Sequence, residues 1–253
     1  MVMTFLLACS NPVDDTAVEM YSTAWEMTAA QQLTRASLDL RGIRPSVDEL
    51  AAMEADPDSF QLMVEDFLSH PNFGEQVRNL FAEIYLTRME DWPWSASDAG
   101  LSHLEPEYEA SVGEEPLQIL SRIAEEDLPY HQVVTADWTM ANEVLAEVWP
   151  VDYPEEGEGW LPVQYTDSRP AAGVLSSNAM WWRYTSTTAN ANRGRANAVT
   201  RILLCDDYLS RTIEFSRDVN LLDDDAVRHA IQTNPGCVAC HHSLEPLSAY
   251  FWG

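Results

Sequence analysis

Apolar residues in the first third of the chain recur three and four positions apart, the spacing that lays one stripe along a helix. Residues 17–40 predict a helical stretch with Met20, Trp25, Leu33 and Leu38 set among polar positions, broken by Gly42 and Pro45. Ser46-Val47-Asp48-Glu49 then has the form of a capping box, in which the serine caps a helix start and the glutamate reaches back. Asp56-Pro57 predicts another start, with proline at the first turn and a stripe of Phe60, Met63, Val64, Phe67 and Leu68. After Pro71 a further stripe runs Phe73, Val77, Leu80, Phe81, Ile84. All of these stripes read as ordinary core faces.

Residues 91–114 are rich in Trp, Pro, Ser, Gly and acids and predict a loop or domain joint. Helices are expected near 115–128, 141–149, 193–206 and 221–233, with a second irregular segment over 150–170, in which Leu161 to Tyr165 could form a short strand. No repeat and no sustained strand alternation appear, so the expected class is mainly α: a helical N-terminal domain followed by a helical, loop-rich C-terminal domain.

Charge narrows the partners. Fourteen basic residues against 41 acidic ones leave a net charge of −27. Nucleic-acid binding draws its affinity from Lys and Arg displacing counterions, so a chain this acidic argues against it, and against docking on anionic lipid headgroups. A solvated acidic surface is the plain reading; steering of a basic redox partner is the sharper one. The 253 residues can bury a sizeable core as one large or two small domains.

The four cysteines separate into distinct readings. Cys9 closes the run Phe5-Leu6-Leu7-Ala8-Cys9-Ser10, which looks like the tail of a bacterial lipoprotein signal with Cys9 as the lipidated residue. The run is short and no basic residue precedes it; the alternative is an apolar N-terminus without that role. Cys205 reads as a buried hydrophobe or a free thiol.

Cys237-Val238-Ala239-Cys240-His241 carries the sharpest chemistry. Two thiols about one helical turn apart can form thioethers with the two vinyl groups on one edge of a haem, and the next residue, His241, can then bind the iron. The expected cofactor is one covalent haem c. A zinc site completed by Cys205, His229 or His242 is an alternative, as is a dithiol redox pair, although no βαβ unit accompanies the motif. His242, adjacent to His241, cannot readily reach the opposite haem face. A sixth iron ligand is therefore expected from upstream, with His229 or Met180 as candidates, from another chain or a continuation of this one, or not at all. Met180, beside Trp181 and Trp182, also reads as core. Arg193-Gly194-Arg195 at a helix start could meet haem propionates or pair with a nearby acid. Asp223-Asp224-Asp225 lacks EF-hand spacing and reads as an acidic helix start. No nucleophile elbow, P-loop or dinucleotide fingerprint is present.

With that motif placed, five blocks in order resemble the cytochrome-associated domains of planctomycete-type multidomain proteins. They are Leu33 to Ser46, Phe67 to Phe81, Val134 to Ala146, Ala172 to Leu204 and Cys237 to Leu247. The chain departs from that pattern with Glu245 in place of Asp, Ser248 in place of Gly, Cys205-Asp206-Asp207-Tyr208 in place of a Pro-rich run, and an end at Phe251-Trp252-Gly253 where the family continues. With residues 1–16 read from their own pattern as a signal remnant and tether, the resemblance implies a helical cytochrome-associated domain over 17–90, a haem-associated domain over 91–206 and a haem-attachment segment, truncated relative to the family, over 207–253. It implies a bacterial exported protein with a C-terminal cytochrome-c-like haem segment that passes electrons to an extracytoplasmic partner, with a link to polymer breakdown; the Cys9 reading adds a lipid anchor at the periplasmic or cell-surface membrane. Two other readings stay open: a surface scaffold with structural or absent haem, and a haem enzyme with an open iron site.

Overall fold

The computed structural model describes residues 27–187, 190–212 and 219–251. Cys9 and most of the segment before α1 lie outside them. Among the described residues 62% are helical and 4% lie in strands, so the fold is mainly α. They divide into two compact units, one ending at Arg183 and the other beginning at Tyr184.

In the first unit, α1 (Ala29–Arg41) starts at a capping box of Thr28 and Gln31 and stops at Gly42, whose φ of 68° is the left-handed stop that glycine adopts without strain. The Ser46/Glu49 capping box opens α2 (Val47–Ala55) as its spacing predicts. Pro57–Ser59 forms a 3₁₀ turn into α3 (Phe60–Leu68), and α4 (Asn72–Tyr85) follows. Leu33, Met53 and Phe67, each at most 1% exposed, meet where α1, α2 and α3 converge, and burial of each contributes about 2 kcal/mol.

Arg41 closes this cluster. Its guanidinium lies 3.6 Å over the Phe67 ring and donates to Glu49 Oε1 at 2.9 Å and to Ser37 Oγ at 2.7 Å. The hydrogen bond from Arg41 holds the Glu49 carboxyl down at about 2. A carboxyl depressed on folding adds stability above its unfolded pKa, and that stability disappears as pH falls through the folded value. Glu49 is partly open to solvent, so the discounted contribution is about 1 kcal/mol. Urea titrations of Glu49→Gln should show that loss at neutral pH, narrowing between pH 4.5 and about 2; a gap independent of pH would refute the assignment.

The long α5 (Glu105–Glu125) is the axis of the unit, packed against α4, β1 and the later helices. It begins ten residues before the expected 115, because Trp92, Ala96, Tyr108 and Val112, all from the segment expected as a joint, are buried together. Trp92, Trp149 and Trp182 form a chain of rings, with centroids 6.2 Å apart for Trp92–Trp182 and 6.3 Å for Trp149–Trp182. Tyr108 meets Trp149 edge-on at 6.3 Å and accepts its indole N–H at 3.2 Å. The short α6 (Gln132–Thr135), β1 (Thr139–Ala141) and α7 (Glu143–Val148) follow, and β2 (Leu161–Val163) pairs antiparallel with β1, Met140 opposite Pro162. After a 3₁₀ turn at Gly173–Ser176, α8 (Asn178–Arg183) ends the unit.

The second unit holds α9 (Arg193–Leu203), a 3₁₀ turn at Tyr208–Ser210, α10 (Asp224–Thr233) and α11 (Pro235–Ala249). Asp223 caps α10 by accepting from the backbone N–H groups of Asp225 and Ala226, so the three aspartates do form an acidic helix start. No helix among the described residues is long and apolar enough to cross a membrane.

Candidate functional site

The CxxCH motif lies inside α11, a 15-residue helix. Asn234 alone separates α10 from α11. Its N–H bonds Ala230 O to finish the first helix, and its side chain accepts from Gly236 N to start the second. Pro235 takes the first helical position, where no donor is needed.

Helical spacing puts Cys237, Cys240, His241, Leu244 and Ser248 on one face. Leu244 and Ser248 are buried, while Cys237, Cys240 and His241 are half-buried. Cys240 packs with Leu247 and Phe251 on a small core of Ala196, Tyr208 and Leu244, which joins α11 to α9. Tyr208 is held from both ends: its N–H donates to Asn197 Oδ1 at 2.8 Å and its hydroxyl meets Ser243 Oγ at 2.7 Å. Both motif thiols are free. Arg211 Nη1 stands 4.0 Å from Cys240 Sγ, with its guanidinium over the Tyr208 ring at 4.3 Å and forked onto Asp206 at 2.6 and 2.8 Å.

One carboxylate organises the histidine. Glu245, one turn beyond His241, places Oε1 at 2.6 Å from His241 Nδ1 and accepts from Arg193 Nε at 2.6 Å. Burial raises the Glu245 carboxyl, but the hydrogen bonds from Arg193 and His241 outweigh it and hold the group below the ordinary glutamate range. The carboxylate is thus an acceptor for both neighbours. Arg193 meets an acid of its own chain, one of the two roles its position in the sequence allowed.

The other candidate ligands have plainer settings. His229 is exposed on α10, His242 is exposed on α11, and Met180 is fully buried on α8 of the first unit, among core residues. Cys205 is neither buried nor a free thiol. It is exposed, sits at φ 56° just after α9, and is disulfide-bonded, so it is not available as a zinc thiolate. Among the described residues no group of three or more His, Cys, Asp or Glu could hold a metal ion. A haem iron draws four ligands from its porphyrin and needs no such cluster.

A second polar centre lies in the first unit, where the sequence drew no attention to it. Glu115 is 0% exposed on α5. Its Oε1 accepts from Thr139 Oγ1 at 2.6 Å and from Tyr165 OH at 2.7 Å, and among the described residues Oε2 has no hydrogen-bond partner. Arg169 stacks 3.6 Å over the Tyr165 ring and donates to Asn178 Oδ1 and Ser176 O. Burial dominates and pushes the Glu115 carboxyl up to about 7, against the opposing pull of Thr139, Tyr165, the Arg169 charge and the Asn178 backbone. The signal was present in the pattern: Glu115 stands three residues after buried Val112 and four before buried Ile119, on the apolar stripe.

No family model, no curated protein and no solved structure matches the chain.

Proposed function

We propose that the chain is an exported c-type haem protein that carries electrons outside the cytoplasm, with haem joined to Cys237 and Cys240 and His241 as an iron ligand. The observation that carries this reading is the face of α11. Two free thiols lie one turn apart, followed by a histidine whose Nδ1 faces a carboxylate, so that Nε2 is the ring nitrogen that would take a metal. That donor set fits a c-type haem. When bound, haem supplies a one-electron iron centre whose potential the protein sets through ligand, hydrogen bonding and burial.

The chain's own residues have defined parts in this reading. Cys237 and Cys240 fix the group covalently, so a thin surrounding pocket suffices. Leu244 and Tyr208 exclude water behind the thiols, and Arg211 places a positive charge beside Cys240. The resemblance to the planctomycete-type cytochrome-associated proteins points the same way, and a net charge of −27 favours a basic redox partner.

The test is haem attachment. The chain is expressed with an export signal in a host competent in c-type maturation, then denatured and examined by reduced pyridine-haem spectroscopy and intact mass. One retained haem with a c-type spectrum is expected, and Cys237→Ala or Cys240→Ala should each lose one thioether. A colourless protein with unmodified thiols would overturn the reading in favour of a surface scaffold. The spin state then separates carrier from catalyst. A low-spin spectrum marks two strong ligands and electron transfer, whereas a high-spin spectrum that responds to cyanide or peroxide marks an open iron site.

A further inference from the structure

We propose that Glu245, anchored by Arg193, is the positioning residue that fixes His241 as the Nδ1–H tautomer, presents its Nε2 lone pair to iron, and keeps the reduction potential of that iron low. This inference rests on the reading of His241 as an iron ligand.

The geometry is made by two helices. His241 and Glu245 are four apart on α11 and therefore stacked on one face. Arg193 is the first residue of α9, and its Nε reaches the same oxygen, Oε1, that meets His241 Nδ1; both distances are 2.6 Å. Arg193 has only N–H groups to offer, so Glu245 Oε1 accepts from it and faces His241 Nδ1 as an acceptor. A neutral histidine facing such an oxygen must carry its hydrogen on Nδ1, which leaves Nε2 as the lone-pair nitrogen. A carboxylate behind a metal-bound imidazole raises the basicity of the ligand and fixes its orientation. More electron density at the iron favours the oxidised state, so the potential falls. Without Arg193 the Glu245 side chain would keep only its contact with His241; with it, the carboxylate is anchored before any metal arrives.

A plainer role is available to the same contacts, since Glu245 also ties α9 to α11. Two measurements on the full chain separate these roles. In the first, the haem-free protein is labelled with ¹⁵N at histidine and its ring-nitrogen shifts are recorded across a range of pH. The His241 nitrogen shifts should report the Nδ1–H tautomer, reverting toward Nε2–H in Glu245→Ala, with thermal melts confirming that the variant folds. A wild-type His241 in the Nε2–H form overturns the proposal.

In the second, the haem-loaded protein is titrated against redox mediators. Glu245→Gln keeps the size and an accepting oxygen but removes the charge, and the potential should move positive while the visible spectrum keeps its spin state. Glu245→Asp restores the charge and should return the potential toward wild type. A potential unchanged in Glu245→Gln overturns the proposal and leaves Glu245 as a structural tie. If no haem attaches in either form, it is the haem reading that falls, and the tautomer measurement alone decides what Glu245 does to His241.

Discussion

Gly173→Ala is expected to destabilise the first unit by about 3 kcal/mol, a large fraction of the stability of an ordinary domain. Two costs coincide there. The residue sits at φ 53°, where a Cβ crowds its own backbone and costs about 1–2 kcal/mol. The added methyl group would also overlap the Val133 carbonyl oxygen and lie 2.7 Å from Val133 C and 2.8 Å from Gln132 O. These are main-chain atoms at the start of α6, and the 173–176 turn is itself tied back by Gly173 N donating to Ala136 O at 3.1 Å. Neither side can yield without breaking that bond, and overpacking of this kind costs about 1–3 kcal/mol. Gly100 separates the two contributions, because its φ is 79° but nothing among the described residues lies within 4 Å of the point that a methyl group would occupy. Gly100→Ala should therefore lose about 1 kcal/mol, the strain alone. Urea unfolding of both variants beside wild type measures the difference, and equal midpoints for the two would show that the close approach to Val133 does not exist in solution.

The sequence made the helices legible wherever a stop and a start bracketed an apolar stripe. Gly42, the Ser46/Glu49 box and Asp56-Pro57 all act in the structure as their chemistry predicts. Two starts were hidden. The onset of α5 was obscured because Gly113 and Pro116 look like breakers. Yet Gly113 is helical and serves a close approach, its absent Cβ leaving room for the Thr87 carbonyl, while Thr87 Oγ1 donates to Gly113 O at 2.9 Å. Tertiary contact thus overrides local propensity. The length of α11 was hidden for a similar reason: His241-His242-Ser243 and Pro246 give no amphipathic stripe, and the helix is held by packing on α9 and α10. At the motif, the sequence singled out the two thiols and His241 by their spacing, and the structure sets them on one face of α11. It did not show that Arg193, 52 positions from Glu245, would meet it on the histidine. Such a contact depends on how α9 lies against α11, and no local pattern encodes that. Cys205 failed as a core candidate because it follows α9 in a left-handed turn at the surface rather than in a helix face.

Glu115→Gln should become more stable relative to wild type as pH rises, by about 3 kcal/mol between pH 4.5 and pH 8. In the folded chain the Glu115 carboxyl is raised from 4.5 to about 7, chiefly by burial. An acid whose folded pKa is raised binds its proton more tightly when folded. Its contribution to stability is therefore fully present below the unfolded pKa and is lost as pH climbs through the folded one. The sign is opposite to that of Glu49, whose carboxyl is depressed to about 2 by the bond from Arg41 and stabilises the fold above 4.5. Both residues lie in the first unit, and the difference between them is set by surroundings: Glu49 has a cation within 2.9 Å and partial access to water, whereas Glu115 has two hydroxyl donors on one oxygen and, among the described residues, none on the other. Protonation of Oε2 removes the charge that this unpartnered oxygen would otherwise bury. Glutamine keeps the accepting oxygen for Thr139 and Tyr165 and never ionises, so its stability lacks this dependence. Whatever fixed cost its amide adds cancels when the two proteins are compared across pH. Tyr165→Phe removes one donor to the anion and should deepen the wild-type loss at high pH by raising the Glu115 carboxyl further. Parallel urea titrations at several pH values provide the measurement, and a constant gap between Glu115→Gln and wild type from pH 4.5 to 8 would mean that the carboxyl titrates as if exposed to water.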